Sequence, residues 1–172
     1  MSPFPPLYAV FMKTALRALL LLALIVWLGA EVFFPIVAAT VFGTLSTDTH
    51  TAGSIVGKLI RILHGMGLVS GIVALATLAL AAAKSFVRPK AILTPLGLLV
   101  LMIGLTLYSQ FGIIPAMERD RMAAGGSIDA ADIATPARVD FKRLHDRSEH
   151  VEGLILLLGV LTVAFVAKAE VA

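Results

Sequence analysis

Between Ala18 and Gly43 only one residue, Glu31, carries a charge. About 20 helical residues, rising 1.5 Å each, cross the hydrocarbon core of a bilayer. This run is long enough to span with some tilt, and three more follow. The second opens with Lys58 and Arg61, reaches His64, and is uninterrupted from Gly65 to Ala83. The third runs from about Thr94 to Met117, and the fourth ends in the apolar stretch Leu154–Ala167. Apolar blocks of this length with short connections predict an all-α polytopic membrane protein. The expected architecture is an up-and-down bundle of four transmembrane helices forming one domain over 1–172. The spans are placed at about 15–43, 55–83, 93–117 and 136–168.

Composition agrees. The chain is 59% hydrophobic and 15% charged, whereas soluble domains are roughly 45–50% apolar and about 25% charged. It has no cysteine, which removes disulfides, thiolate metal sites and cysteine nucleophiles. The formal charge of +3 comes from basic residues that flank apolar spans. Membrane lipids are therefore the expected partners, and no basic stripe or aromatic platform points to nucleic acid. Lys13 and Arg17 before an apolar run, with Leu28-Gly29-Ala30 inside it, form the outline of a secretory signal. The run continues through Val32-Phe33-Phe34-Pro35-Ile36-Val37, so a retained span is expected.

Local signals set the helix ends. Thr94-Pro95 and Thr135-Pro136 each read as an N-cap followed by the first helical residue. Pro115 should loosen the end of the third span. Gly125-Gly126-Ser127 ends the charged extension Glu118-Arg119-Asp120-Arg121, and Ser127–Ala134 reads as a flexible linker. In the second span Gly67, Gly71 and Ala74 make a small face suited to close helix approach. Packing within the monomer is expected there rather than a dimer seam.

Four spans put both termini on one side. That side carries Lys13, Arg17, Lys84, Arg88, Lys90 and Lys168, with Glu170 as its acid outside the spans. The other side has as many cations, interleaved with acids. The acid-free loop Lys84–Lys90 points to cytoplasmic termini.

Depth can be counted from the basic side. Twenty residues or so into each span, the far interface falls near Val37, Leu63, Phe111 and Ser148. Glu31, His64, Gln110, His150 and Glu152 thus lie at similar depth on four different helices, at one end. His145, Ser148 and Glu152, at i, i+3 and i+7, share a helix face, as do Trp27, Glu31 and Pro35. A carboxylate facing lipid costs on the order of 3 kcal/mol or more. Glu31 should therefore face the interior, with His64, Lys58, Arg61 or the His145 face as partner.

The residues Trp27 to Phe34, Pro115-Ala116-Met117-Glu118-Arg119, and Phe141 through His145 and Ser148 carry a resemblance. The chain resembles the transmembrane protein 205-like family, a domain of unknown function. The resemblance implies a four-helix membrane protein with its signature at one membrane face. That signature is a His, a Ser three residues on and usually an Asn seven on. Here His145 and Ser148 match, and Glu152 takes the third place. A looser likeness groups the family with copper-resistance membrane proteins and haem-binding four-helix oxidases.

The expected site is a polar pocket of Glu31, Arg61, His64, Gln110, Arg119, His145, Ser148, His150 and Glu152. Three functions stay open. A binding or transport-related protein would take a small solute there, with Arg61 or Arg119 holding an anion, and would need an oligomer or partner for alternating access. A haem or transition-metal protein would use His64, His145, Glu31 and Glu152 as ligands. An accessory subunit or assembly factor of a larger membrane complex would use its apolar faces. Against all three, the polar groups could serve only to tie helices together. No phosphate loop, nucleotide fingerprint, H-E-x-x-H or G-x-S-x-G occurs, and a non-enzymatic role is expected. Ser148 beside His145 is not a triad, since a shared face supplies neither oriented base nor oxyanion donors.

Overall fold

The computed structural model describes residues 7–87 and 89–171, with side chains at 7–87 and 90–168. The proline-rich start at 1–6, Arg88 and the side chain of Glu170 lie outside the described residues. Helix α1 is Leu7–Thr44, α2 Thr49–Ala83, α3 Pro89–Tyr108, α4 Ile114–Ala123 and α5 Pro136–Val171. A single π-helical turn, Ser109–Ile113, joins α3 to α4 without a break. Counting 90–123 as one unit, four helices are long and apolar enough to cross a membrane. The protein is an all-α, multi-pass integral membrane protein.

Outward-facing surfaces are apolar on α1, α2, α3 and α5. Leu22, Ile25, Ile62, Val69, Val100 and Leu157 are all exposed. In water such faces would mark an interaction site or an aggregation hazard. In a bilayer they need no partner, and helix association rests on packing and hydrogen bonds instead.

Packing is close where α1 meets α2. Trp27 is fully buried, and its indole lies against Gly67 and Gly71. A Cβ on Gly67 would fall 2.6 Å from Trp27 Nε1, and one on Gly71 would fall 2.7 Å from Trp27 Cζ3 and 2.8 Å from Ile103 Cγ1. The small face of α2 is thus a seat for a tryptophan of the same chain. Leu24, Leu99, Met102, Ile155 and Leu158 continue the core towards α3 and α5. Gly159 admits Leu28 of α1 in the same way, since a Cβ there would overlap it.

One boundary departs from the expected ones. α3 starts at Pro89 rather than at Pro95, which is buried inside the helix. Both prolines can serve as a first helical residue, and the more N-terminal one does so. Pro115 lies within a helix that continues past it, directly after a π turn. Its missing N–H would leave a carbonyl one turn back unpaired. The π turn directly before it changes the register, with Ile114 N–H bonding Ser109 O. α4 then ends at Ala123, where Gly125 and Gly126 adopt φ of 80° and 89°. This left-handed conformation favours glycine, and Gly126 N–H closes on Arg121 O at 2.9 Å. The segment expected to be a flexible linker is tied back, because the Arg138 guanidinium donates to the carbonyls of Asp129 and Ala131.

Candidate functional site

The π turn falls at the two residues through which α3 reaches the polar end of the bundle. Ser109 is buried and Gln110 half-buried. Gln110 Oε1 lies 2.9 Å from His64 Nδ1 on α2. His64 is fully buried, and its other nitrogen, Nε2, lies 2.9 Å from Glu152 Oε1 on α5. Ser109 Oγ donates to the same carboxylate oxygen at 2.9 Å. One chain of hydrogen bonds therefore links α2, α5 and the π turn.

α1 completes the centre. Glu31 is buried, its Oε1 accepts from Trp27 Nε1 at 3.3 Å, and it lies close enough to Glu152 and His64 to interact with both electrostatically. The tryptophan that fits the α2 glycines thus also orients the intramembrane carboxylate. Leu63, Ile60 and Ile114, with Phe34 packed against them, form an apolar cluster at this end. They keep the local dielectric low, which strengthens every charge interaction inside.

The two ring nitrogens of His64 thus each face an oxygen, Gln110 Oε1 at Nδ1 and Glu152 Oε1 at Nε2. With the proton of the His64–Glu152 bond on either partner, Nε2–H donates to the carboxylate or the carboxyl O–H donates to Nε2, and Nδ1–H still donates to Gln110 Oε1. The centre can therefore shift a proton between α2 and α5 without losing a contact. The second carboxylate oxygen, Glu152 Oε2, is buried and has no hydrogen-bond partner among the described residues. An orphaned acceptor of this kind costs about 1–3 kcal/mol, more if charged.

Of the expected pocket, the structure brings together Glu31, His64, Gln110 and Glu152, with Ser148 buried one turn before Glu152. It leaves out the rest. His145 is half exposed, pairs with Glu149 at 3.2 Å and stacks on Phe141. His150 is exposed and turned back to Asp146 O at 2.6 Å. Arg61 and Arg119 are exposed as well. Helical spacing fixes the direction of a side chain but not whether another helix covers that turn. The quartet His64, His145, Glu31 and Glu152 is therefore not assembled. No group of three or more His, Asp or Glu side chains among the described residues is arranged to hold a metal ion. His64 in particular turns both ring nitrogens to protein atoms.

Ser109 was not singled out by sequence reasoning. Its signal was the polar triplet Tyr108-Ser109-Gln110 within an apolar span, six residues ahead of Pro115. Beyond the centre lies a rim of charges. Arg121 bonds Glu118 at 3.0 Å, sits 5.8 Å from the Phe141 ring and reaches Gly53 and Gly57 of α2. Arg143 pairs with Asp140 at 3.3 Å, and Arg147 donates to Tyr108 Oη at 3.2 Å.

Four spans around buried ionisable groups define a polytopic membrane protein with a polar centre at one end. The model of a family described as domain of unknown function DUF4149 matches residues 22–125, more than half the chain. The protein belongs to this family. The match includes Trp27, Glu31, His64, Ser109 and Gln110 and stops short of α5, which supplies Glu152. No curated protein and no solved structure matches the chain.

Proposed function

We propose that the protein is a non-enzymatic, binding or transport-related membrane protein whose polar centre takes a small solute bearing a hydrogen-bond donor. The observation that carries this reading is Glu152 Oε2, an acceptor buried beside His64 without a partner among the described residues. A solute N–H or O–H would satisfy it. The proton shared by His64 and Glu152 would adjust the charge of the site to that of the solute. Intramembrane ionisable groups that face a bundle interior are functional candidates on energetic grounds. The resemblance of Phe141–Ser148 to the transmembrane protein 205-like family supports a functional role for this end. The acid-free connection after α2 supports cytoplasmic termini.

Trp27 is the chain's one tryptophan and bonds Glu31, so its emission reports on the centre. The test titrates guanidinium, methylammonium, urea and glycerol into protein in mild detergent. A saturable change in Trp27 emission with at least one of them, lost in Glu152→Gln, is expected. No saturable change with any of the four, or an unaltered one in Glu152→Gln, would overturn the reading.

A further inference from the structure

The opposite end of the bundle holds a second feature, unconnected with the polar centre. A cavity of about 270 Å³ opens between the start of α1, the end of α2, the start of α3 and the end of α5. Its walls are largely apolar, with Leu20, Phe86, Ile92 and Val166 among them. Among the described residues the one hydroxyl in the lining, Thr77 Oγ1, is already spent on Val73 O at 2.7 Å. Two cations, Lys13 and Arg17, line the cavity one turn apart on α1, and no acid does among the described residues. Lys84 and Lys90, exposed on either side of the α2–α3 connection, and Lys168 on α5 add to the positive field.

An apolar cavity of about 150 Å³ already stays dry and takes a benzene-sized ligand. The cavity here is larger, is walled for hydrocarbon and has its charge at one place. Because it lies at the basic end of membrane-spanning helices, the molecules that reach it at highest concentration are lipids. Basic pockets between transmembrane helices suit anionic headgroups, each nearby cation adding to the attraction. We propose that this cavity is a binding site for an acidic phospholipid, one acyl chain entering between α1 and α3 and the phosphate resting on Lys13 and Arg17. Arg17 already interacts within the protein, so Lys13 is the cation whose removal is most informative. The proposal does not depend on which membrane face the termini occupy, nor on the reading of the polar centre.

Native mass spectrometry of the purified chain in detergent tests it, with dioleoyl phosphatidylglycerol, dioleoyl phosphatidylcholine or inorganic phosphate added. Retention of one phosphatidylglycerol with about tenfold preference over phosphatidylcholine is expected, falling several-fold in Lys13→Gln. Lys13 is exposed, so this variant should fold. Ala81→Phe, which fills the cavity from α2, should abolish retention, and a thermal melt identifies whether it still folds. Equal retention of both lipids, unchanged retention in Lys13→Gln, or retention in a folded Ala81→Phe would overturn the proposal. Binding of phosphate alone as tightly as phosphatidylglycerol would overturn the acyl-chain part and leave an anion site.

Discussion

His64 Nε2 and Glu152 Oε1 stand 2.9 Å apart although 88 residues separate them in the chain. This bond joins the second helix to the last, and every other polar contact of the centre touches one of these two residues or Glu31. Interhelical hydrogen bonds in membranes average only about 0.6 kcal/mol. A pair in which His64 is fully buried and the Glu152 side chain only 15% exposed is different, because deleting one partner strands the other.

Single substitution of His64 or Glu152 by Ala should therefore destabilise the protein by about 3 kcal/mol, as for other broken buried pairs. The double substitution should cost clearly less than the sum, with a coupling of about 1 kcal/mol or more. His145→Ala, at an exposed i,i+4 pair, should change stability by no more than about 0.5 kcal/mol. Reversible unfolding in mixed micelles measures all four. Additive effects of His64→Ala and Glu152→Ala would show that the two do not act as a pair.

The α2 glycines give a sharper test of packing. A Cβ at Gly67 would lie 2.6 Å from Trp27 Nε1, whereas Gly65 has nothing within 4 Å. Gly67→Ala should cost about 1–3 kcal/mol by overpacking. Gly65→Ala, two residues away, should be neutral or stabilising by up to about 1 kcal/mol through helix propensity. Trp27→Phe removes the indole nitrogen that clashes, so the cost of Gly67→Ala should shrink in that background. Thermal melts of the four variants decide it, and equal effects at Gly65 and Gly67 would contradict the seat described here.

Outside the membrane, Asp48 caps α2. Hydrogen bonds from the Thr51 hydroxyl and from Thr51 N–H, the latter at 3.0 Å, hold its carboxyl below the ordinary carboxylate range. A depressed carboxyl stabilises the folded state above its unfolded pKa, and this contribution is lost as pH falls through the folded pKa. Asp48→Ala should thus melt below the parent protein at neutral pH, and the gap should close in acid. Asn, which also caps, should recover part of the loss without the pH dependence. A gap that persists unchanged below the carboxylate range would assign the loss to something other than the ionised cap.

Much of this arrangement was legible in the sequence, for reasons that differ by residue. Glu31, His64, Gln110 and Glu152 could be placed at one depth because helical rise per residue is fixed. Trp27 and Glu31 could be placed on one face because four residues return to it, but the hydrogen bond between them was not among the partners expected for Glu31. His145 has nearly the azimuth of Glu152 yet remains outside, since no periodicity tells which turns a neighbouring helix covers. Ser109 escaped because the π turn that carries it depends on Pro115 being absorbed within a continuing helix rather than ending it. Pro95 shows the same limit, since Thr94-Pro95 read as a helix start while the helix begins at Pro89 and buries Pro95. Gly67 and Gly71 announced close approach, but the partner, an indole rather than a helix backbone, was visible only in three dimensions.

Topology is the last prediction, and the composition makes it simple to test. The absence of cysteine leaves a blank background for single-cysteine labelling. Ser46 lies in the exposed turn between α1 and α2, and Ser85 in the exposed turn between α2 and α3. These turns are at opposite ends, because Lys13 of α1, Phe86 of the second turn and Val166 of α5 line one cavity. The acid-free basic segment beginning at Lys84 should remain on the cytoplasmic side. A membrane-impermeant maleimide applied to intact cells should therefore label Ser46→Cys and spare Ser85→Cys until the membrane is opened. That result would place the His64–Glu152 centre towards the outside and the basic cavity against the anionic cytoplasmic leaflet. The reverse pattern would put the polar centre on the cytoplasmic side, and the solute it meets would then be an internal one.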